Sequence, residues 1–321
     1  MSRRFPFPIP TGWFQVEFSA DLKVGDVKPM HYFGRELVLF RGEDGEARVL
    51  DAFCPHLGAH LGHGGKMSGN NVVCPFHAWE FDGAGACARI PYSEKIPKKS
   101  KLTSWPVLER NGQIMVWHDL AGRAPTWEPP ALEEYQNEGW TEYLTRSWVV
   151  KSCNQELGEN AVDSAHFQYL HGTARMPKAD GKLSGHHMHV DSDTLMTTPG
   201  GEVEGQIAVD CYGFGFTTTR FTGLVETLLV SSATPIDGEN TELRFAFTVK
   251  MTLGRSMSRG VGKAFVAEIA RQLEQDIPIW ENKVYLDRPV LCEGDGPIGL
   301  YRTWSRQFYP DPETIAENAA K

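Results

Sequence analysis

Up to about residue 118 the chain alternates strand-length apolar runs with glycine-rich turns. Glu36-Leu37-Val38-Leu39-Phe40 and Gln113-Ile114-Met115-Val116-Trp117 are such runs, and the repeated pattern predicts a small all-β domain. Ala121-Gly122-Arg123-Ala124-Pro125 through Pro129-Pro130 then reads as a proline-rich linker. Beyond it a helical stretch is expected near 154–170, and β-prone runs over 205–209, 214–220, 225–233 and 243–252. A further helix is expected over about 259–277, where Val261, Phe265, Ile269 and Leu273 recur every four positions and make one apolar face. Helices flanking a block of strands imply an α+β domain on an antiparallel sheet. The expected division is 1–125 and 126–321.

A chain of 321 residues has room for two domains, each with its own core. The formal net charge of -9 argues against nucleic acid and anionic membrane surfaces as partners, because both are bound through basic patches. Phe5-Pro6-Phe7-Pro8-Ile9-Pro10 interrupts any signal-peptide core after Arg3-Arg4, and no apolar run reaches the roughly 18 residues of a membrane span. Four of the six cysteines, Cys87, Cys153, Cys211 and Cys292, are scattered without the spacing of a disulfide framework. A reduced, cytoplasmic setting is therefore expected.

The other two cysteines sit in paired arms, Cys54-Pro55-His56 and Cys74-Pro75-Phe76-His77. Each arm follows β-prone residues (Val49, Leu50 and Phe53; Val72 and Val73), which predicts two loops presented by strands. Two thiolates and two imidazoles form the ligand set in which His replaces Cys on one iron of a [2Fe-2S] cluster, raising its reduction potential. Cys2His2 is also a structural zinc set, but zinc fingers group like ligands, whereas both arms here are mixed. His60 and His63 have no place in this pattern and read as solvated loop residues.

A second constellation lies in Asn160-Ala161-Val162-Asp163-Ser164-Ala165-His166-Phe167-Gln168-Tyr169-Leu170-His171-Gly172. His166 and His171 would stand about 140° apart on an unbroken helix, so sharing a metal requires a bend, and Gly172 is a helix stop that supplies one. Asp163, one turn before His166, is placed to hydrogen-bond its ring. Two unrelated histidines remain the alternative. Non-haem Fe(II) oxygenases hold iron with two His and one carboxylate, leaving positions open. Asp276 is the best third ligand, because it falls on the apolar face of the second helix, where an unpaired acid is costly to bury. Pro278 is expected to end or kink that helix. Glu274 points away from the stripe; Glu281 and Asp295 are weaker candidates.

Cys54-Pro55-His56-Leu57-Gly58-Ala59 and Cys74-Pro75-Phe76-His77-Ala78-Trp79 resemble the Rieske motif. Together with the His166/His171 segment, the chain resembles the Rieske non-haem iron oxygenases over nearly its whole length. Glu159-Asn160 through His171, Gln275-Asp276-Ile277-Pro278-Ile279-Trp280, and Asp295-Gly296-Pro297 with Trp304 and Gln307-Phe308-Tyr309 are similar to the oxygenase component of 3-ketosteroid 9α-hydroxylase and to cholesterol 7-desaturases. The resemblance implies a Rieske β-domain followed by a helix-grip (START-like) catalytic domain. It implies cluster ligands Cys54, His56, Cys74 and His77, and iron ligands His166, His171 and Asp276. Asp163 matches the family's bridging aspartate, which links an iron ligand to a cluster histidine of the neighbouring subunit, and Asn160 matches a residue near the iron. The cofactors implied are one [2Fe-2S] cluster and one mononuclear Fe(II); the assembly implied is a homotrimer.

The activity implied is that of a terminal oxygenase, a monooxygenase foremost, acting with O2 on a C–H bond of a hydrophobic, steroid- or sterol-like substrate. Electrons would come from NAD(P)H through a separate ferredoxin or reductase. Gly294-Asp295-Gly296-Pro297-Ile298-Gly299 does not supply a dinucleotide site, since it contains a proline and too little chain follows it. Phe214, Phe216, Phe221, Phe245 and Phe247 suit an apolar pocket, although strand aromatics are more often plain core. Other readings stay open: an oxygenase for a smaller aromatic or polar substrate, a Rieske electron carrier without oxygenase activity, and a zinc-stabilised binding module.

Overall fold

The computed structural model of the chain describes residues 4–173, 176–198, 201–223, 225–252, 255–311 and 313–315. Arg3 and the side chain of Val261, both used in the sequence reading, lie outside the described set. One compact unit comprises residues 15–118 and 122–126; the other comprises the residues up to Phe14, 119–121, and those from Trp127 onward.

Short strands build the first unit. They are β1 (Gly12–Phe18, of which Gln15–Phe18 belong to this unit), β2 (Val27–Tyr32), β3 (Arg35–Arg41), β4 (Ala47–Asp51), β5 (Lys66–Ser68), β6 (Asn71–Val73), β7 (Glu80–Phe81), β8 (Cys87–Arg89), β9 (Ser104–Trp105), β10 (Val107–Arg110) and β11 (Gln113–His118). They form small sheets ordered β1-β11-β10, β2-β3-β4-β9 and β5-β6-β7-β8. Leu37, Val38, Leu39 and Phe40 are all fully buried, as expected of a strand covered on both faces. Val38, Phe40, Leu50, Leu61, Val72 and Phe81 form a core that also takes in Cys54 and Cys74. The paired arms are thus rooted in the buried core of this domain.

The second unit holds one antiparallel sheet of β12 (Leu144–Val150), β13 (Ala179–Ser184), β14 (His187–Thr198), β15 (Gly201–Tyr212), β16 (Phe216–Phe221), β17 (Thr227–Pro235) and β18 (Thr241–Val249). Its order is β12-β18-β17-β16-β15-β14-β13, a meander in which only β12 is out of sequence. The helices are α1 (Asn154–Glu159), α2 (Ala165–Tyr169), α3 (Arg255–Asn282) and α4 (Ile298–Ser305). The long α3 packs against β12 and β18, and Val150, Leu229, Leu243, Phe247, Val266, Leu273 and Trp280 close the core between helix and sheet. A single long helix held against an antiparallel sheet is the expected helix-grip arrangement.

One local expectation is corrected and one narrowed: the stretch predicted as one helix near 154–170 is split by Asn160–Ser164, and Pro278, expected to end or kink the second helix, lies inside α3, which runs on to Asn282. Glu274, whose carbonyl loses its usual intrahelical donor at Pro278, and Pro278 itself are exposed, so water can take the freed acceptor.

Candidate metal centres and catalytic cavity

The two cysteine arms fold as near-copies of each other. In the first, the Cys54 amide donates to the Ala59 carbonyl at 2.9 Å and the Gly58 amide to the Cys54 carbonyl at 2.9 Å. In the second, the Cys74 amide donates to Trp79 at 2.8 Å and the Ala78 amide to Cys74 at 3.0 Å. Gly58 and Ala78, at matching places, both take left-handed backbone, with φ of 76° and 55°. The His56 and His77 rings lie 4.6 Å apart, and the His56 ring stacks on Trp79.

This pocket fits a cluster on its own chemistry. Burial pushes the Cys54 thiol up to about 12, with Cys74 adding to the effect, so a thiolate forms there only when a cation takes the proton's place. His56 Nδ1 is buried without a hydrogen-bond partner, a deficit worth about 1–3 kcal/mol that a metal bond would remove. His60, expected to be solvated, is instead largely buried, with Nε2 3.5 Å from Glu36 Oε2 and Nδ1 accepting the Gly62 amide at 3.0 Å. It braces the first arm and does not join the cysteine–histidine set.

The other set is assembled in the second unit from α2, the turn after it, and α3. His166 lies in α2; the Leu170 and His171 amides both donate to the His166 carbonyl, and the Thr173 amide reaches back to Phe167. Gly172, at φ 74°, turns the chain there. The bend brings the His166 and His171 rings to 5.0 Å between centroids, as the spacing required. Asp276, 5% exposed, completes the group: one donor atom from each of the three residues lies within 4.8 Å of the others.

Each histidine is held by one ring nitrogen and offers the other. His171 Nδ1 pairs with the Gln275 side-chain carbonyl at 3.1 Å, leaving Nε2 3.3 Å from Asp276 Oδ1. His166 Nδ1 pairs with the Asp163 main-chain carbonyl at 2.7 Å, and its buried Nε2 has no partner. The expected ring contact of Asp163 is therefore made by its backbone; its carboxylate, 3.7 Å from His166 Nδ1, accepts the Ala165 and His166 amides instead. Asn160 Nδ2 donates to Asp276 Oδ2 at 3.4 Å. Gln275 is a supporting residue that sequence reasoning missed, although its place beside Asp276 was a usable signal. Glu274 is exposed, Glu281 accepts the Lys151 amide, and Asp295 accepts the Cys292 amide, so none of the weaker candidates joins the group.

Two imidazoles and one carboxylate, with an unpartnered Nε2, suit Fe(II). Burial pushes the His171 imidazole down, but the Asp276 carboxylate and the Gln275 carbonyl outweigh it and leave its pKa above the ordinary 6.5. Protons therefore compete with the metal: iron retention during dialysis against a chelator should be good at pH 8 and fall as pH drops through this raised value. Equal retention at pH 6 and pH 8 would contradict it. In the metal-free protein the sign reverses: the His171–Asp276 pair stabilises the fold fully below about 6.5 and loses that contribution as pH rises.

These three residues stand on the wall of a cavity of about 720 Å³, within the range of small-molecule sites. Phe214, Phe221, Phe245 and Phe265 line it, together with Leu229 and Leu243. The candidate aromatics thus divide, since Phe216 and Phe247 are fully buried core. The Gly294–Gly299 motif is a turn up to Pro297, where α4 begins. Gly296, at φ 78°, sits so close to the Val162 carbonyl that a Cβ would approach it to 2.0 Å, so only glycine fits there beside the loop carrying Asp163. A second potential ligand group, His187, His189 and Asp210, is absent from the cavity lining.

Comparison with known proteins agrees with this geometry. Residues 12–106 match the Rieske [2Fe-2S] domain, and residues 116–309 match the 3-ketosteroid 9alpha-hydroxylase C-terminal domain. A 3-ketosteroid-9-alpha-monooxygenase oxygenase component from Rhodococcus rhodochrous is 32% identical over 98% of this chain and 85% of its own length. A cholesterol 7-desaturase from Hemicentrotus pulcherrimus is 33% identical over 97% of this chain and 72% of its own. Among solved structures, Pseudomonas putida CBB5 NdmA with caffeine aligns at TM-score 0.78 and 20% identity over 92% of this chain and 89% of that one. Dicamba monooxygenase bound to dicamba aligns at 0.72 and 18% over 97% and 98%. These structures share the fold. With its Rieske domain, its cavity-wall His/His/Asp group and this breadth of similarity, the chain belongs to the Rieske non-haem iron oxygenases, in the family of 3-ketosteroid 9α-hydroxylase oxygenase components.

Proposed function

We propose that the chain is the terminal oxygenase of a multi-component system oxidising a steroid- or sterol-like substrate in the cavity beside His166, His171 and Asp276. The observation that carries this is the placement of an Fe(II)-type donor set on the wall of a large aromatic- and aliphatic-lined cavity. Cys54, His56, Cys74 and His77 would hold the cluster, and His166, His171 and Asp276 the iron. When bound, the cluster passes single electrons and the iron activates O2 for attack on an unactivated C–H bond. Because no dinucleotide motif is present, a separate ferredoxin or reductase delivers the electrons. The proposed assembly is a cytoplasmic homotrimer with domains 1–125 and 126–321. No helix among the described residues is long and apolar enough to cross a membrane.

The side chains divide the remaining work. Gln275 and the Asp163 carbonyl fix the two imidazoles so that Nε2 of each faces the metal position. Asn160 restrains the second oxygen of Asp276. Phe221 and Phe265, edge to face at 5.0 Å, and Phe245 supply flat apolar contact that excludes water and orients a polycyclic ligand. Affinity would come from apolar burial, at roughly 25 cal/mol per Å².

A binding panel tests the reading. Steroids and sterols of graded size, and small aromatic acids and xanthines, are titrated against the loaded protein and followed by ligand-induced changes in the iron environment. Micromolar binding of a 3-ketosteroid or sterol, at least about tenfold tighter than any small aromatic, is expected. Preference for a small aromatic or polar ligand would replace the steroid assignment.

A further inference from the structure

Among the described residues, one further group of side chains, besides the cysteine–histidine arms and the cavity-wall set, is built like a metal site. On β15 and β16, Val209, Cys211, Thr217 and Thr219 line the cavity, as do Ser192 and, farther along β14, Leu195, while Met188 and Val190 of β14 are buried between the partly exposed His187 and His189 and the exposed Asp191. Strand side chains alternate between faces, so His187, His189 and Asp191 of β14 and Asp210 of β15 project from the opposite face. His189 pairs with Asp210 across the two strands, and His187 lies two residues away on the same face.

From this geometry we propose that His187, His189 and Asp210 form a second metal site, for a divalent ion of the zinc class, on the outer face of the catalytic sheet. His187 Nε2 and His189 Nδ1 lie 2.8 and 2.7 Å from the same oxygen, Asp210 Oδ1, and all three atoms fall within 4.8 Å of one another. Tetrahedral zinc with arms near 2.0–2.1 Å sets its ligand atoms roughly 3.3 Å apart, so each contact opens by about half an ångström to admit the ion. Partly exposed side chains can make that adjustment.

The surroundings are those of a metal-bound imidazole. His189 offers Nδ1 to the site and has its Nε2 3.0 Å from Asp191 Oδ2, the carboxylate–histidine–metal arrangement that fixes a ligand ring. The His187 ring is held by stacking on Tyr212, with centroids 4.7 Å apart at 9°. Arg220 is an opposing charge, 3.6 Å from Asp210 Oδ2, but its Nε is bonded to Glu134 at 2.9 Å. Lys182 and Asp180 of β13 stand opposite His189 and Asp191 on the same face, so with both histidines neutral four carboxylates against two cations leave two negative charges for a dication to balance. The affinity order of first-row ions places Zn(II) above Fe(II) for such donors, and the bound ion would tie β14 to β15.

The test uses the full-length protein with its cluster and iron loaded. It is equilibrated with zinc chloride, desalted and assayed for zinc and iron together, with cluster absorbance followed in parallel. Wild type is expected to retain about one zinc per chain at unchanged iron, and His189→Gln and Asp210→Asn to retain none. Asp191→Asn should keep that stoichiometry but lower the affinity about 10- to 100-fold in competition with a chromophoric chelator. Zinc gained only at the expense of iron, no zinc retained by wild type, or equal retention by the two ligand variants would each overturn the proposal. Because the first readout is wild-type stoichiometry, the test stands even if one variant fails to fold.

Discussion

Asp276→Ala should lower turnover by at least about a thousandfold and remove about one of the three irons per chain, while both labile sulfides and the Rieske-type EPR signal persist. The reason is local. Asp276 is the buried acid of its group, facing His171 Nε2 at 3.3 Å and held by Asn160 at 3.4 Å. Without it the donor set falls to two neutral imidazoles, which bind Fe(II) weakly and leave its charge uncompensated. The cluster ligands belong to the other compact unit, so their metal content should be untouched. Joint loss of iron and sulfide would show that the variant had unfolded, and unchanged iron with near-normal turnover would remove Asp276 from the ligand set.

Asp163→Asn separates metal binding from electron delivery. Burial pushes the Asp163 carboxyl up, but its contacts with His166 and the His166 and Ala165 amides outweigh this and hold its pKa below the ordinary value, so it is charged near neutral pH. Asparagine keeps an oxygen for those amides, and the main-chain carbonyl that orients His166 is unaffected. Both metals should therefore remain. In the proposed trimer the lost charge breaks the link to a neighbouring subunit's His56 or His77, so turnover should fall at least about a hundredfold. Stopped-flow spectroscopy should show a cluster that is reduced normally by the donor but not reoxidised on adding substrate and O2. Wild-type reoxidation would refute the bridging role.

Much of this was legible in the sequence because metal sites impose local demands. The Cys-Pro-His and Cys-Pro-Phe-His arms are short, and their ligand chemistry is written within a few residues. Asp276 was legible by another rule, that an acid on an apolar helix face needs a partner, and it lies at the cavity wall beside His166 and His171. Gly172 likewise marked the turn that lets two histidines five residues apart face each other.

What was not legible depends on contacts between distant segments. The break between α1 and α2 lies against Gly296, more than 130 residues away, where a Cβ would come within 2.0 Å of the Val162 carbonyl. The hairpin of β13 and β14, whose polar outer face hides its strand pattern, was not expected, and it carries His187 and His189. His60 looked like a loop histidine because its partner Glu36 comes from another strand. Pro278 suggested a helix end or a kink; α3 runs on through it to Asn282, because its exposed side tolerates the lost hydrogen bond. For the five candidate phenylalanines, composition could not separate cavity wall from core, since that depends on which face of each strand meets the empty space.

The most direct test of the account is a single turnover without any electron-transfer partner. The fully loaded protein is reduced chemically, freed of reductant, mixed with a 3-ketosteroid or sterol under ¹⁸O2, and the product analysed by mass spectrometry. The account predicts substrate oxidation in step with cluster reoxidation, giving either one ¹⁸O atom in the product or a product two hydrogens lighter. Cluster reoxidation with every tested substrate recovered unchanged would contradict it.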